Sequence, residues 1–415
     1  MALAETTASS LGVEDACYVT IPHPVGMQPV ADIEKKADEA FPEILRLATD
    51  WRPATSIAAG ADAYSAERIV LTGDEMDVNR HFLDNRWSLG LPIIPPTVER
   101  VAEMLKGTRR RPDEVLGQVP PENGTLTVEL VAVSAVMAGC KPQYMPLLIG
   151  ALEGFLSPEA NWRGSLTTTG TTQSVVIVNG PVIGRLGVGH KQGAAGKGYH
   201  PNASVGYAIN LVAYNVGGSR PPGVDRSTLA SPADYVCWVF GENEEALPAG
   251  WEPLHVDRGF ERGDSTVTVL STYPPVENID HWSANAEEYM RWWSYTASPL
   301  QNMGGPSIGM LFTENPIIAL GPEHAQLVAA GGRSKRDFCR DFWESVRAPL
   351  SAWPPGCADR NKVADYLGPV TEDTMIPVTQ TAEQLMVVIG GGDGKHAHYF
   401  APFPGCYPVT KRVDV

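Results

Sequence analysis

The stretch from Val175 to Gly218, VVIVNGPVIGRLGVGHKQGAAGKGYHPNASVGYAINLVAYNVGG, restricts the fold more than any other part of the chain. Its β-branched run Val175-Val176-Ile177-Val178 ends at Asn179-Gly180-Pro181, which predicts a short buried strand closed by a turn. Glycines at 187, 189, 193, 196 and 198 follow, too many for a helix or a regular strand. Pro201-Asn202-Ala203-Ser204 then opens an apolar helix carrying Val205, Ile209, Val212 and Ala213, which Gly217-Gly218 stops. A strand, a flexible loop and a helix start in that order can turn backbone N–H groups toward an anion. His190, Lys191, Lys197 and His200 add donors and charge to the loop, and Asn202 and Ser204 complete the set of expected ligand-binding residues. The same glycines also suit a long structural crossover that needs only tight turns. Neither the dinucleotide fingerprint nor the P-loop spacing is present, so no nucleotide is implied.

The pattern recurs. Ile317-Ile318-Ala319-Leu320 runs through Gly321-Pro322 into a helix start, and Leu385–Ile389 leads to Gly390-Gly391-Gly392-Asp393-Gly394-Lys395-His396-Ala397-His398. This predicts an α/β fold of mixed or parallel sheets flanked by helices, with long Gly/Pro-rich loops and two subdomains. The 41 glycines and 35 prolines among 415 residues agree with long ordered loops. Three units are expected. Residues 1–67 form an N-terminal extension with an amphipathic helix over Ala31–Asp50 and a linker from Trp51 to Glu67, and could be an interface segment. Residues 68–225 hold an α/β core with the glycine loop. Residues 226–415 form a second α/β unit with an acidic loop and the C-terminal Gly/His loop.

A net charge of −16 argues against nucleic acid as a main partner. No stretch is apolar enough to span a membrane, and MALAETTASS lacks the basic start and apolar core of a signal peptide. Six scattered cysteines with no CxxC pair fit free thiols, so a cytoplasmic location is expected.

Three further places could carry chemistry. Two apolar helices over Val128–Phe155 break at Gly139-Cys140-Lys141-Pro142. A thiol at a helix end beside Lys141 could have a lowered pKa and act as a nucleophile, or be a small buried apolar residue. The segment GENEEALPAGWEPLHVDRGF follows the strand-like Tyr235–Phe240 and carries Glu242, Glu244, Glu245, Glu252, His255 and Asp257. It could supply acid and base groups, Glu252 and His255 foremost, or be a solvated loop. A divalent metal is a further possibility, with His190, His200, Glu245, His255, His396 and His398 as its candidate ligands. Elsewhere, Arg109-Arg110-Arg111 reads as a solvated basic face or an anion clamp. His281–Trp293 reads as an aromatic packing helix, Ser334–Val346 as an amphipathic helix carrying Cys339, and Cys357 as a loop residue.

Several phrases together resemble the large bacterial proteins found with, or fused to, the UGSC-type (seleno)protein domain. They are GLPIIPPTVERVAEML (90–105), AVMAGCKPQYMPLLIGALEG (135–154), PNASVGYAINLVAYNVGG (201–218), ENEE…WEPLHVDRGF (242–260) and GGGDGKHAHYF near the C-terminus. HPVGMQPVADIEKKADEAFPEILRLAT (23–49) is similar to the tail of the UGSC domain itself. The resemblance implies an enzyme acting on carbon–heteroatom bonds, a lyase or an oxidoreductase. The chain departs from the fused form in having no Gly-Ser-Cys motif. A required thiol would then come from Cys140 or from a separate small UGSC-type partner chain, with Cys17–Asp50 as its docking remnant. Three functions are therefore expected to compete: an enzyme on a small anionic metabolite using Cys140 or Glu/His acid–base chemistry, a metal-dependent hydratase or lyase, and a non-catalytic scaffold subunit. A homo-oligomer is expected for each.

Overall fold

The computed structural model describes residues 8, 16–25, 28–51, 68–296, 315–352, 364, 365 and 367–414. Cys357 and most of the Trp51–Glu67 linker lie outside the described residues. Two four-stranded mixed sheets lie at the centre. The first has the order β12-β5-β3-β4, from Val409–Arg412, Thr266–Thr272, Gln173–Asn179 and Trp238–Gly241. The second has the order β6-β11-β7-β10, from Val276–Ile279, His396–Phe400, Ile317–Leu320 and Met386–Ile389. Two two-stranded antiparallel pairs complete the strands among the described residues: β1 with β2 (Val115–Val119 and Gly124–Thr127), and β8 with β9 (Arg347–Pro349 and Met375–Pro377).

Alternation along the strands assigns the layers. Val176, Val178, Val239, Val267 and Val269 point from the first sheet into a core with helices α4 (Val128–Met137), α5 (Met145–Phe155) and α8 (His200–Asn215). Their neighbours Val175, Ile177, Phe240 and Leu270 point the other way and meet Ile317, Met386, Val388 and Phe400 of the second sheet. The far face of that sheet, with Ile318, Leu320, Val387 and Tyr399, packs on α10 (Ala286–Thr296) and α12 (Lys335–Ser345), joined by residues of α11 (Pro322–Ala330). The result is four layers, helices–sheet–sheet–helices. It explains why Val175–Val178 reads as an unbroken apolar run, since both faces of its strand are buried. Glycines permit close approach of the layers: a Cβ on Gly154 of α5 would stand 2.7 Å from Val269 Cγ2.

The two sheets repeat one plan. In each, a strand, two helices and a parallel strand (β3–α7–α8–β4, where α7 is Val182–Leu186, and β7–α11–α12–β10) are followed by an antiparallel strand inserted beside the first. The registers coincide. Val175 faces Leu270 and Trp238, just as Ile317 faces Phe400 and Met386. The fourth strands are exchanged: β6 leaves the first sheet to edge the second, and β12 leaves the second to edge the first. The two crossing segments pair with each other, Tyr273 N–H donating to Ala401 O (2.8 Å) and Phe403 N–H to Ser271 O (2.9 Å).

This exchange corrects the expected division at residue 225. The strands of the first sheet come from both sides of it, so 68–225 and 226–415 do not form separate units. Five more helices among the described residues stand apart from the layers or beside them: α1 (Val30–Asp50), α2 (Glu75–Asp84), α3 (Val98–Leu105), α6 (Trp162–Thr167) and α9 (Leu254–Asp257). Helix α1 matches the amphipathic segment expected there but buries no residue; Phe41, Ile44 and Leu45 are exposed. The aromatic helix starts at Ala286 rather than His281, with Asp280 accepting the N–H groups of Trp282 and Ser283 in the preceding turn. Among the described residues no helix is long and apolar enough to cross a membrane.

Candidate functional site

The Gly187–Ser204 loop lies beyond the carboxyl ends of β3 and β4, where ligands bind in open α/β sheets. One buried side chain shapes it. Asn202 accepts from Gly189 N–H at 2.9 Å, and its amide is placed to donate to the carbonyls of Gly189 (3.2 Å), Ala194 (2.8 Å) and Val239 (2.8 Å). Asn202 is therefore a clamp that holds the loop against β4 and leaves no donor for a ligand. Gly189 carries a close contact too, its position leaving no room for a Cβ beside the Tyr199 ring.

One end of the loop runs along the acidic segment. His190 packs against Gly241, where an added Cβ would be 2.9 Å from the His190 Cβ, and its Nδ1 lies 3.0 Å from Val188 O. Lys191 donates to Glu245 at 2.6 Å on the surface. The middle of the loop touches the C-terminal glycine turn: a Cβ on Gly392 would stand 3.0 Å from Gln192 N and Cα. The two glycine loops therefore meet.

The other end reaches the break between α4 and α5. His200, the first residue of α8, is exposed, and its Nδ1 lies 3.3 Å from the Tyr144 hydroxyl. The start of α8 has no side-chain cap, and Pro201 occupies its first turn. Lys197 is exposed nearby in sequence and makes no ion pair among the described residues. Ser204 donates to His200 O (2.8 Å) and lies near enough to the Cys140 thiol to lower its pKa. The folded chain thus brings Cys140, from a distant part of the sequence, to Ser204 and the helix turn that begins at His200. Cys140 itself is buried, and burial pushes its thiol up to about 12 despite the lowering effect of Ser204. That is opposite in direction to the lowering a helix end could have given, and the thiolate required of a nucleophile is strongly disfavoured. Tyr144, 2% exposed, is likewise raised by burial and by the nearby Cys140.

The acidic segment divides into buried and solvated parts. Glu242 is fully buried: its Oε2 accepts from Asn179 Nδ2 (2.6 Å) and Leu254 N (2.7 Å), and its Oε1 from Ile389 N (3.2 Å). Burial raises its pKa against the lowering effect of Lys335 and these donors. Because Ile389 belongs to β10, Glu242 ties the two sheets together. Glu244 Oε1 accepts from Asn179 Nδ2 (2.9 Å) and Gly180 N (2.7 Å) and lies 3.7 Å from His255 Nδ1. His255 is wholly buried with no hydrogen-bond partner for either ring nitrogen. It is not placed to touch a substrate from outside. Glu252 pairs at 2.6 Å with Arg262 on the surface, apart from this network.

The remaining candidates lie on β11. His396 Nδ1 meets Glu277 Oε1 at 2.7 Å, and His398 packs between Trp238 and Phe400, its pKa lowered by burial against the opposing pull of Glu277. The six residues expected as metal ligands are spread over the loop, the acidic segment and β11. Among the described residues no three His, Cys, Asp or Glu side chains come together as an ion's ligand set. Of the Arg109–Arg111 run, Arg110 is held by Glu114 and Glu153, and Arg111 by Asp113.

Tyr144 was not among the residues expected at the site. Its partner lies 56 positions away, and in sequence it differs in no way from a core tyrosine. No protein-family model, curated protein or solved structure matches the chain.

Proposed function

We propose that the chain is an enzyme acting on a small anionic metabolite, with His200 as its acid–base group at the start of α8. One observation carries this reading: an exposed imidazole sits at an uncapped helix start, with one ring nitrogen against a buried tyrosine hydroxyl. An uncapped N-terminus favours an anion through its unpaired N–H groups and the helix dipole. Lys197 adds charge from the loop. When Nδ1–H donates to the Tyr144 oxygen, Nε2 carries the lone pair and takes a proton. When the Tyr144 hydroxyl donates, Nε2–H is available to give one. Both directions serve the cleavage or formation of a carbon–heteroatom bond, the chemistry implied by the UGSC-associated resemblance. Cys140 is left out as nucleophile because its thiol is held protonated.

The N-terminal segment as an interface element belongs to the same reading, supported by the exposed Phe41, Ile44 and Leu45 of α1.

The test is a screen of small hydroxy-, amino- and phosphocarboxylates by proton NMR for any that the protein consumes. His200→Gln should reduce kcat by about 10²–10⁴-fold, and Tyr144→Phe should move the pH profile of kcat with less loss of rate. Wild-type turnover in His200→Gln would sink the assignment.

A further inference from the structure

A cavity of about 600 Å³ opens at the other end of β3, bounded by its first residues Gln173 and Ser174, by α8, by the Arg86–Gly90 turn and by the Ser219–Tyr235 loop. The seven residues of β3 separate it from the glycine loop by about 20 Å at the usual rise per strand residue. Its polar groups are fixed by the protein. Ser174 accepts from the Trp162 indole N–H (3.3 Å), Thr172 donates to Ser165 O (2.7 Å), and Gln173 Nε2 donates to Tyr273 O (3.4 Å). All three residues are more than nine-tenths buried although they line the space.

Three ionic groups line the same cavity: Arg86, Asp225 and Asp234. Among the described residues none of them is in an ion pair. The Arg86 guanidinium bonds only the Pro221 carbonyl. Asp225 accepts from Ser227 N (2.9 Å) and Asp234 from Ser231 N (2.8 Å), each with one oxygen, leaving the other free. The two carboxylates are near enough for the charge of one to raise the pKa of the other, in addition to the effect of burial. An unpaired cation and two unpaired anions around one concave space are complementary to a ligand bearing both charges. Leu83, Leu89, Leu166 and Leu229 provide an apolar wall for the rest of such a ligand. Two of the cavity's residues, Arg86 (φ 56°) and Ala230 (φ 66°), hold left-handed backbone without being glycine, and strain of that kind gathers at binding sites.

We propose that this cavity binds an amino-acid-type zwitterion with a bulky side chain, its carboxylate on Arg86 and its ammonium on Asp225 and Asp234. The volume exceeds what glycine or alanine would fill and falls in the range of sites for larger ligands. The site is independent of the acid–base reading of His200, because no residue is shared.

The test is calorimetry of the full chain against each of the twenty proteinogenic amino acids at pH 7. For any that binds, the matched amine without the carboxylate and the matched acid without the amine are measured as well. Binding of at least one large amino acid is expected, more tightly than glycine. The matched amine and acid should each bind at least tenfold more weakly. Arg86→Gln and Asp225→Asn should each weaken binding at least tenfold while leaving the thermal midpoint of the free protein within a degree or two. His200→Gln should leave binding unchanged even if it abolishes turnover. Absence of binding by all twenty overturns the proposal, and so does equal binding of amino acid, amine and acid. Unchanged affinity in both cavity variants overturns it as well.

Discussion

Replacing Glu242 by Ala tests whether the acidic segment holds the two sheets together or performs chemistry. The substitution removes the acceptor of three donors. Asn179 Nδ2 keeps its bond to Glu244, so two backbone N–H groups, Leu254 and Ile389, are left without a partner in a fully buried place. At about 1–3 kcal/mol for each buried group left unsatisfied, the gross cost is about 2–6 kcal/mol. Removing a carboxylate that burial disfavours returns part of it, so the expected net loss is about 2–4 kcal/mol, a large share of a typical stability of about 5–15 kcal/mol. Urea unfolding followed by tryptophan fluorescence reads it directly. Glu252→Ala is the control from the same segment: its ion pair with Arg262 is surface-exposed and contributes about 0–1 kcal/mol. The pH dependence adds a sign. The folded pKa of Glu242 is raised above the ordinary 4.5, so the side chain's contribution is fully present below that value and is lost as pH rises through the folded pKa. The gap between wild type and Glu242→Ala should therefore narrow from acid toward neutral pH. A loss below about 1 kcal/mol, or a gap that widens with pH, would refute the latch.

Two further outcomes follow from burial. At pH 8 iodoacetamide should modify the exposed Cys17 and leave Cys140, whose thiol is raised to about 12, untouched until the protein unfolds; peptide mass spectrometry reads this, and rapid native labelling of Cys140 would restore it as a nucleophile. The His398 pKa is lowered by burial, so the folded state resists its protonation and stability should fall as pH drops below the ordinary histidine value of 6.5. His398→Phe should flatten that acid slope by up to about 1.4 kcal/mol per pH unit in urea titrations, and an unchanged slope would place the acid sensitivity elsewhere.

What could be read from the sequence was local. Val175–Val178 and the helix opened by Pro201 were visible because a strand buried on both faces is a continuous apolar run and proline favours a first helical turn. Pairing was not visible: nothing in the alternation of Val276–Ile279 or Val409–Arg412 says that each edges the sheet of the other repeat. The site was legible in parts for the same reason. The glycine loop announced itself, but Asn202 looked like a ligand donor when its bonds go to four backbone groups of the loop and β4. The sequence put Glu252 ahead of Glu242, and burial separates them the other way. They differ because a strand 147 residues away closes over one of them.

The duplicated plan also indicates why polar side chains at the strand ends gather in one half. With the registers superposed, Asn179 and Glu242 at the strand ends of the first sheet correspond to Gly321 and Gly390 in the second. The backbone bonds at these ends are the same, Glu242 N–H to Val178 O and Gly390 N–H to Leu320 O, both at 2.9 Å. Only the first repeat supplies side chains, and only there does the long glycine loop fall between the first strand and the helix. The second repeat offers backbone: Ile389 N–H to Glu242, Ile389 O to Asn243 N–H, Gly391 O to the Asn243 amide, and a glycine at 392 where Gln192 leaves no room for a Cβ. A glycine-rich turn is suited to that task, because bare backbone lets polar side chains of the other half come within bonding distance. One repeat thus brings polar side chains to this junction and the other meets them with backbone, while the exchanged strands β6 and β12 join the two sheets at their edges.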